Sequence, residues 1–406
     1  MANEVNLNLD PRTFLNIVPE RMAAIQGAPE TALPTEYPVN RLMKAFHPEW
    51  QYAKISRVEQ HGKDAKSYTL VPDREKGTES FAYFSAGQYV CVYLAIGGSR
   101  LLKPYSIRSA PAAALEGSYI LTVKRAVHGY ENGFASDYIL DNWAEGGNVI
   151  LTGPEGNFTY ELLRDAQHII GIAAGSGITP FCSLACAIAD GTENCSLTLL
   201  YASRRADEIL LKDALDEAAA KTNKVKVIHI LSDEQVPGYE HGLITAELIK
   251  KYAPPSDFSI FMNVQQDMYD FCNKQIELLA LPSRRIRRGL SGECKTPAAQ
   301  ADYPGVKGER FTLTVNIRDN KQNIPCAAGE SLLVAMERAG IAVSSRCRGG
   351  ECGFCSAKLI SGEVFVPAAF DKRRLADITF GFIHTCVSFP LGDITIDAPA
   401  YRTAQG

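Results

Sequence analysis

Arg346-Cys347-Arg348-Gly349-Gly350-Glu351-Cys352-Gly353-Phe354-Cys355 is the stretch that decides how this chain is read. Three cysteines stand at a C-x4-C-x2-C spacing, and Cys386 follows on a later element. Three thiolates on one tight loop and a fourth from a distance form a ligand set for a [2Fe–2S] cluster. A zinc site would favour paired C-x2-C hairpins, and the x4 gap with a lone fourth cysteine fits that poorly. Gly349, Gly350 and Gly353 belong to the same reading. A loop that wraps a cluster must bring backbone N–H groups close to sulfur, and only small residues allow that approach.

The flanking sequence extends this unit. Phe311-Thr-Leu-Thr-Val-Asn-Ile317 alternates like a strand. Gly329 to Gly340 reads as a helix stopped by glycine, and Asp393-Ile-Thr-Ile-Asp397 supplies a closing strand. Residues 309–400 together resemble plant-type ferredoxin domains. The resemblance implies an α+β (β-grasp) fold with Cys347, Cys352, Cys355 and Cys386 as the cluster ligands.

Composition sets limits on the rest. A chain of 406 residues holds several domains, and its 46% apolar and 22% charged content is that of a globular protein. The formal net charge of −4 argues against nucleic-acid binding. No apolar run approaches the roughly 18 residues that read as a membrane span. The N-terminus lacks a signal-peptide layout, so a cytoplasmic protein is expected. Of the eleven cysteines, Cys91, Cys182, Cys186, Cys195, Cys272, Cys294 and Cys326 lie apart from the cluster pattern and are read as small buried hydrophobes.

Upstream, residues 295–308 have linker composition, rich in proline, alanine and glycine. Residues 51–160 are short strands broken by turns, including Ala86–Leu94 and Ser118–Lys124, and suggest an antiparallel β-barrel. From 161 to 294 the pattern changes. His168–Ala173, Ser196–Tyr201, Lys226–Leu231 and Phe258–Met262 are strand-like runs separated by helices, which predicts an α/β domain with a parallel sheet. Residues 1–50 form an N-terminal extension with short helices near Phe14 and Met22, read either as an arm packed on the body or as a docking segment.

The order of motifs in 51–294 resembles the ferredoxin–NADP reductase superfamily of flavoproteins. Lys103-Pro-Tyr-Ser-Ile-Arg-Ser109 matches the family's R-x-Y-S-x-x-S. The resemblance implies that the Tyr105 ring packs on the isoalloxazine and that Ser106 approaches flavin N5. Lys103 takes the position of the phosphate-binding arginine, keeping the charge without the bidentate fork, and Arg108 is a candidate helper. Gly87-Gln88-Tyr89-Val90 matches the preceding strand signature. Gly133-Phe-Ala-Ser136 matches a G-x-x-S turn at a helix N-terminus that meets the flavin phosphates, and Gly153-Pro-Glu-Gly-Asn-Phe158 matches the motif closing the barrel. Family habit favours FAD over FMN.

Gly175-Ser-Gly177-Ile178-Thr179-Pro180 resembles the glycine loop that receives the pyrophosphate of NADH or NADPH, a turn after a buried strand that opens a helix. Arg204, beside Arg205, stands after the next strand, where the adenosine ribose is expected. The family's C-G-P-x-x-M is replaced by Asn263-Val264-Gln265-Gln266-Asp267-Met268. Val264 is read as a branched side chain set where backbone must approach the nicotinamide. Arg287-Arg288-Gly289-Leu290 stands where many members carry an acidic and aromatic pair.

These features point to an NAD(P)H-dependent electron-transfer reductase. Electrons pass through flavin to the cluster and on to a partner metalloenzyme such as an oxygenase. A flavin takes two electrons as hydride and releases them singly, while the cluster carries one at a time at about −400 mV. Tyr105 and Ser106 are the candidate catalytic pair. The alternative read from Asn263-Val264-Gln265 is a relay subunit, or a redox activator of a corrinoid or other low-potential enzyme, that does not itself oxidise NAD(P)H.

Overall fold

The computed structural model describes residues 11–28, 37–125, 134–290, 292–305 and 309–401. It divides into one unit of Met1–Lys44 and another of Ala45–Gly406. In the first, a single helix, Pro11–Gln26, takes in both short helices expected there and carries Pro19 inside it. A further helix covers Pro38–Phe46. Both show apolar side chains at helical spacing to solvent: Val18, Met22 and Ile25 on one, Val39, Leu42, Met43 and Phe46 on the other.

The larger unit begins with a six-stranded antiparallel barrel. Its strands are β1 (Gln51–His61), β2 (Ala65–Pro72), β3 (Tyr89–Ile96), β4 (Ser99–Ser106), β5 (Tyr119–Lys124) and β6 (Asn148–Leu151), in the order β4-β3-β6-β1-β2-β5. The ends close on each other through the Ile107–Leu121 bridge and the Arg108 N–H to Ile120 carbonyl bond of 2.8 Å. Gly97 and Gly98, both at positive φ, make the two-residue turn that sets Ile96 opposite Ser99 in the β3–β4 hairpin.

Next comes a parallel sheet of β7 (His168–Ala174), β8 (Ser196–Ser203), β9 (Val225–Leu231), β10 (Glu240–His241), β11 (Ser259–Asn263) and β12 (Ile286–Arg288), in the order β10-β9-β8-β7-β11-β12. β7 lies inside this sheet, and its uninterrupted apolar run reflects burial on both faces. The loop leaving β7 enters a helix, Thr179–Ala189. That helix is tied to the barrel by the Ser183 hydroxyl, which donates to the Ser109 carbonyl at 2.7 Å.

The third body holds β13 (Arg310–Ile317), β14 (Asn320–Ala327), β15 (Ser356–Ser361), β16 (Val364–Phe365), β17 (Phe382–His384), β18 (Phe389–Pro390) and β19 (Ile394–Asp397). Its mixed sheet runs β14-β13-β19-β15-β17, with β13 and β19 parallel. The helix Leu332–Arg338 buries Leu332, Ala335 and Met336 against it.

The described part of the stretch read as a linker, residues 295–305, packs against the ferredoxin body. Just before it, Cys294 is buried with Leu333, Cys355 and Phe365; within it, Pro297 is buried, Tyr303 stands edge-on to Phe365, and Asp302 accepts the Ala368 N–H at 2.8 Å. Its apolar side chains are the reason it packs rather than swings. Cys91, Cys182, Cys195, Cys272, Cys294 and Cys326 are buried thiols outside any disulfide, and Cys186 is partly buried.

Candidate functional site

Tyr105 and Ser106 end β4 at the edge of the barrel, both half-buried. The Tyr105 hydroxyl lies 3.0 Å from Ser136 Oγ, near the start of the helix Phe134–Asn142. Burial pushes the Tyr105 phenol up to about 12, against a smaller pull from Ser136, so it stays neutral. Ser106 Oγ makes no hydrogen bond among the described residues, which leaves it available to a ligand. A half-exposed aromatic ring, a free hydroxyl and a helix start fit a flavin with its phosphates. Gly133 lies outside the described residues.

Lys103 does not point its charge into an open phosphate site. Its ammonium pairs with Glu293 at 2.8 Å, deep enough that burial lowers its pKa. The segment after β12 brings this carboxylate back to β4. Arg108, the proposed helper, reaches the Cys182 thiol on the helix after the glycine loop.

In that loop, Gly177 faces backbone: a Cβ there would lie 2.0 Å from the Asn263 carbonyl oxygen. Asn263 also donates from Nδ2 to the Gly177 carbonyl at 3.0 Å and rests against Gly289. Gly175, at positive φ, has the Gln265 amide above it. The Thr179 hydroxyl donates to the Ser176 carbonyl at 2.7 Å, so it braces the turn at the first residue of the helix.

Val264 corrects the sequence reading. Its side chain is 5% exposed and packs with Ile172, Met262 and Ile276 in the sheet core. The branched side chain therefore points into the sheet core, away from the glycine loop, against which Asn263 and Gln265 stand. Arg287 and Arg288 are likewise committed, to Asp165 at 2.7 Å and to Asn273 at 2.9 Å. At the end of β8, Arg205 is held by Asp207 and Glu234, whereas Arg204 is exposed and has no side-chain partner among the described residues. Glycine turn, helix start and free guanidinium together fit a pyridine dinucleotide.

The four cysteines of the C-terminal body meet as two pairs, Cys347 with Cys352 and Cys355 with Cys386. Among the described residues no three acidic, histidine or cysteine side chains converge on one metal-ion position. Two thiolates for each of two irons is what a [2Fe–2S] cluster needs. The Cys352 thiol and the amides of Cys352, Gly349 and Glu351 bond to Cys347 and pull its pKa down against burial. Gly350 adopts φ +81°, and a Cβ there would meet the Phe370 carbonyl at 2.3 Å. The donor set and the cradle both fit the cluster.

Residues that sequence reasoning passed over join these sites. Glu293 binds Lys103 and also Arg348 of the cluster loop. Arg348 forks onto Glu337 at 2.6 and 2.8 Å and donates to the Leu102 carbonyl at 3.2 Å. Two cations hold the Glu293 carboxyl at about 2 despite burial that alone would raise it. Arg346 pairs with Glu155 of the barrel at 2.6 Å. A readable signal existed in Tyr89-Val-Cys-Val-Tyr-Leu94, which is apolar at every position. A barrel strand with solvent outside would alternate; this one is covered on both faces.

Comparison with known proteins agrees with this division. The oxidoreductase FAD-binding domain family matches residues 53–160, the oxidoreductase NAD-binding domain family 172–274, and the 2Fe-2S iron-sulfur cluster binding domain family 315–391. The ferredoxin reductase component of 3-ketosteroid-9-alpha-monooxygenase from Mycobacterium tuberculosis is 30% identical over 71% of this chain and 77% of its own. The glycine betaine monooxygenase reductase subunit of Pseudomonas aeruginosa is 25% identical over 78% of this chain and 87% of its own. Phthalate dioxygenase reductase shares the fold, with a TM-score of 0.62 at 24% identity over 86% of this chain and 98% of that one. The chain belongs to the ferredoxin–NADP reductase superfamily, as a flavoprotein fused to a C-terminal plant-type [2Fe–2S] ferredoxin domain that takes electrons from NAD(P)H through FAD to its cluster.

Proposed function

We propose that this chain is the reductase component that hands single electrons to a partner metalloenzyme, with an oxygenase as the acceptor. The observation that carries the proposal is the asymmetry of the cluster loop. Cys347, Cys355 and Cys386 are buried, while Cys352 and the neighbouring Phe354 are exposed. One side of the loop faces the barrel, and the other faces whatever comes to collect. Two relatives are named as monooxygenase reductase components, which supports the choice of acceptor.

In this reading Gly175, Gly177 and Thr179 shape the turn that receives the nucleotide pyrophosphate, and Arg204 meets the adenosine end. Tyr105 supports the flavin ring, its neutral hydroxyl held by Ser136. Ser106 offers its hydroxyl to the reacting edge. Gly133 is assigned to the phosphate turn, and Lys103 acts on the phosphates only through the field it shares with Glu293. Bound FAD accepts hydride and releases electrons singly to an iron–sulfur acceptor. A cytoplasmic setting goes with this role: the free thiols suit a reducing compartment, and no described helix is long and apolar enough to cross a membrane.

A relay subunit that does not oxidise NAD(P)H loses its main support once Val264 is seen in the core. The test of the outlet is reduction of cytochrome c by NAD(P)H through the intact holoprotein. Cys386→Ser removes a cluster ligand and is expected to abolish that activity while sparing ferricyanide reduction at the flavin. Equal cytochrome c reduction by the variant would show that electrons leave elsewhere.

A further inference from the structure

The arginines on either side of Cys347 both reach out of the ferredoxin domain. Arg346, nearly buried, binds Glu155 at 2.6 Å. Glu155 is itself laced to β3, its N–H donating to the Tyr89 carbonyl at 2.8 Å and its carbonyl accepting the Tyr89 N–H at 2.9 Å. The Arg346 carbonyl accepts from the Cys91 thiol at 3.6 Å. Arg348, with its side chain 2% exposed and its backbone at φ 56°, joins Glu337 of its own domain to Glu293 and to the Leu102 carbonyl of β4. Lys103, Glu293, Arg348 and Glu337 form a buried set of two cations and two anions spanning the barrel, the connecting segment and the ferredoxin domain.

Burying four charges is costly unless every one is paired, so this junction specifies one arrangement rather than many. Its location is informative. Val90, Val92 and Leu94 of β3 face the barrel core, while Tyr89, Cys91 and Tyr93 face outward with Leu102 and Tyr401. Tyr89 stands opposite Ser106 in the β3–β4 register and within electrostatic reach of Cys347 and Cys352. Ser106, as the cross-strand partner of Tyr89, shares its outward face, so the residue assigned to the flavin edge and the first cluster ligand lie on the same side of one short strand pair with Tyr89 beside both.

We propose that Arg346 and Arg348 act as a two-point clamp that seats the cluster loop on the outer face of β3 and β4, with Tyr89 between Ser106 and Cys347, and so set the path from flavin to cluster. Both are positioning residues: neither reacts, and each acts by holding Cys347 in place. The proposal rests on the flavin lying at Tyr105 and Ser106.

Cys91 is a built-in reporter, since its buried thiol donates to the Arg346 carbonyl of the loop and is expected to gain exposure when the loop lifts. The experiment uses the full-length holoprotein. Iodoacetamide labelling of Cys91, followed by peptide mass mapping, reads seating. Single-turnover stopped flow reads flavin reduction and cluster reduction as separate phases. Arg346→Glu and Arg348→Lys are each expected to speed Cys91 labelling and slow the flavin-to-cluster phase by about tenfold or more, leaving nucleotide-to-flavin reduction unchanged. Pairing Arg346→Glu with Glu155→Arg should restore both, which general destabilisation would not. Glu155→Gln, a change on the barrel alone, repeats the test if a loop variant fails to hold its cluster.

Labelling that stays slow in all variants overturns the clamp. Faster labelling with an unchanged flavin-to-cluster rate overturns the positioning role and leaves only adhesion. If nucleotide never reduces the flavin, the proposed function fails, yet Cys91 protection still decides the clamp.

Discussion

Arg348 and Glu337 form a bidentate ion pair, 2.6 and 2.8 Å, in which both side chains are almost wholly removed from water. The pair is internal to the ferredoxin domain, but the same guanidinium also meets Glu293 from the segment that follows the parallel sheet. One side chain therefore couples the cluster loop to the rest of the reductase.

Removing Glu293 tests that coupling. Glu293→Gln leaves Lys103 and Arg348 as poorly compensated buried cations and is expected to destabilise the protein by about 3 kcal/mol. The effect has a pH signature. The Glu293 carboxyl sits at about 2 in the fold against 4.5 for the free group. A depressed carboxyl contributes stability that is present above its unfolded value and lost as pH falls through its folded value. The difference between native protein and the variant in calorimetric unfolding should hold above about pH 4.5 and vanish towards pH 2. A constant difference across that range would rule out the ionised pair.

Tyr105 separates ring from hydroxyl. Tyr105→Phe loses the 3.0 Å bond to Ser136 and should cost about 1 kcal/mol while keeping flavin. Tyr105→Ala removes the ring and should purify with little flavin absorbance. Full flavin content in the alanine variant would place the ring-stacking residue elsewhere.

Gly177→Ala drives a methyl into the Asn263 carbonyl, which is backbone and has little room to yield. The expected result is a KM for NAD(P)H raised by about tenfold or more with flavin content unchanged, because the strain falls on the nucleotide loop. An unaltered KM would detach this loop from nucleotide binding.

Arg204 and Arg205 should behave differently. Arg204 is free to meet a ligand, while Arg205 is occupied by Asp207 and Glu234. Arg204→Ala is expected to raise the KM for NADPH about tenfold more than that for NADH, since a free guanidinium pairs best with the extra phosphate. Steady-state kinetics with both nucleotides decide it, and equal effects would assign Arg204 to adenine stacking or to solvent.

Much of this architecture was legible in the sequence because local patterns carried it. The cysteine spacing, the glycine turns and the switch from short strands broken by turns to strand-like runs separated by helices marked three bodies in their order. What stayed hidden depended on long-range packing. Nothing near Lys103 announces that Glu293, far along the chain, will return to neutralise it. Val264 looked like an obstruction because a motif shows which residue stands at a position but not which way its side chain turns. The segment after Lys295 looked like a linker by composition, yet Pro297 is buried and Tyr303 packs on Phe365. The apolar positions Tyr89, Cys91 and Tyr93, read only as part of a barrel strand, recorded the domain contact that the arginines secure.

The central claim is that reducing equivalents enter at the nucleotide loop and reach the cluster through flavin. It is tested most directly by anaerobic stopped-flow reduction of the purified holoprotein with NADH and NADPH side by side. The expected result is bleaching of the flavin band by at least one nucleotide, followed by bleaching of the cluster band. Dithionite reducing both centres while neither nucleotide reduces the flavin would contradict it.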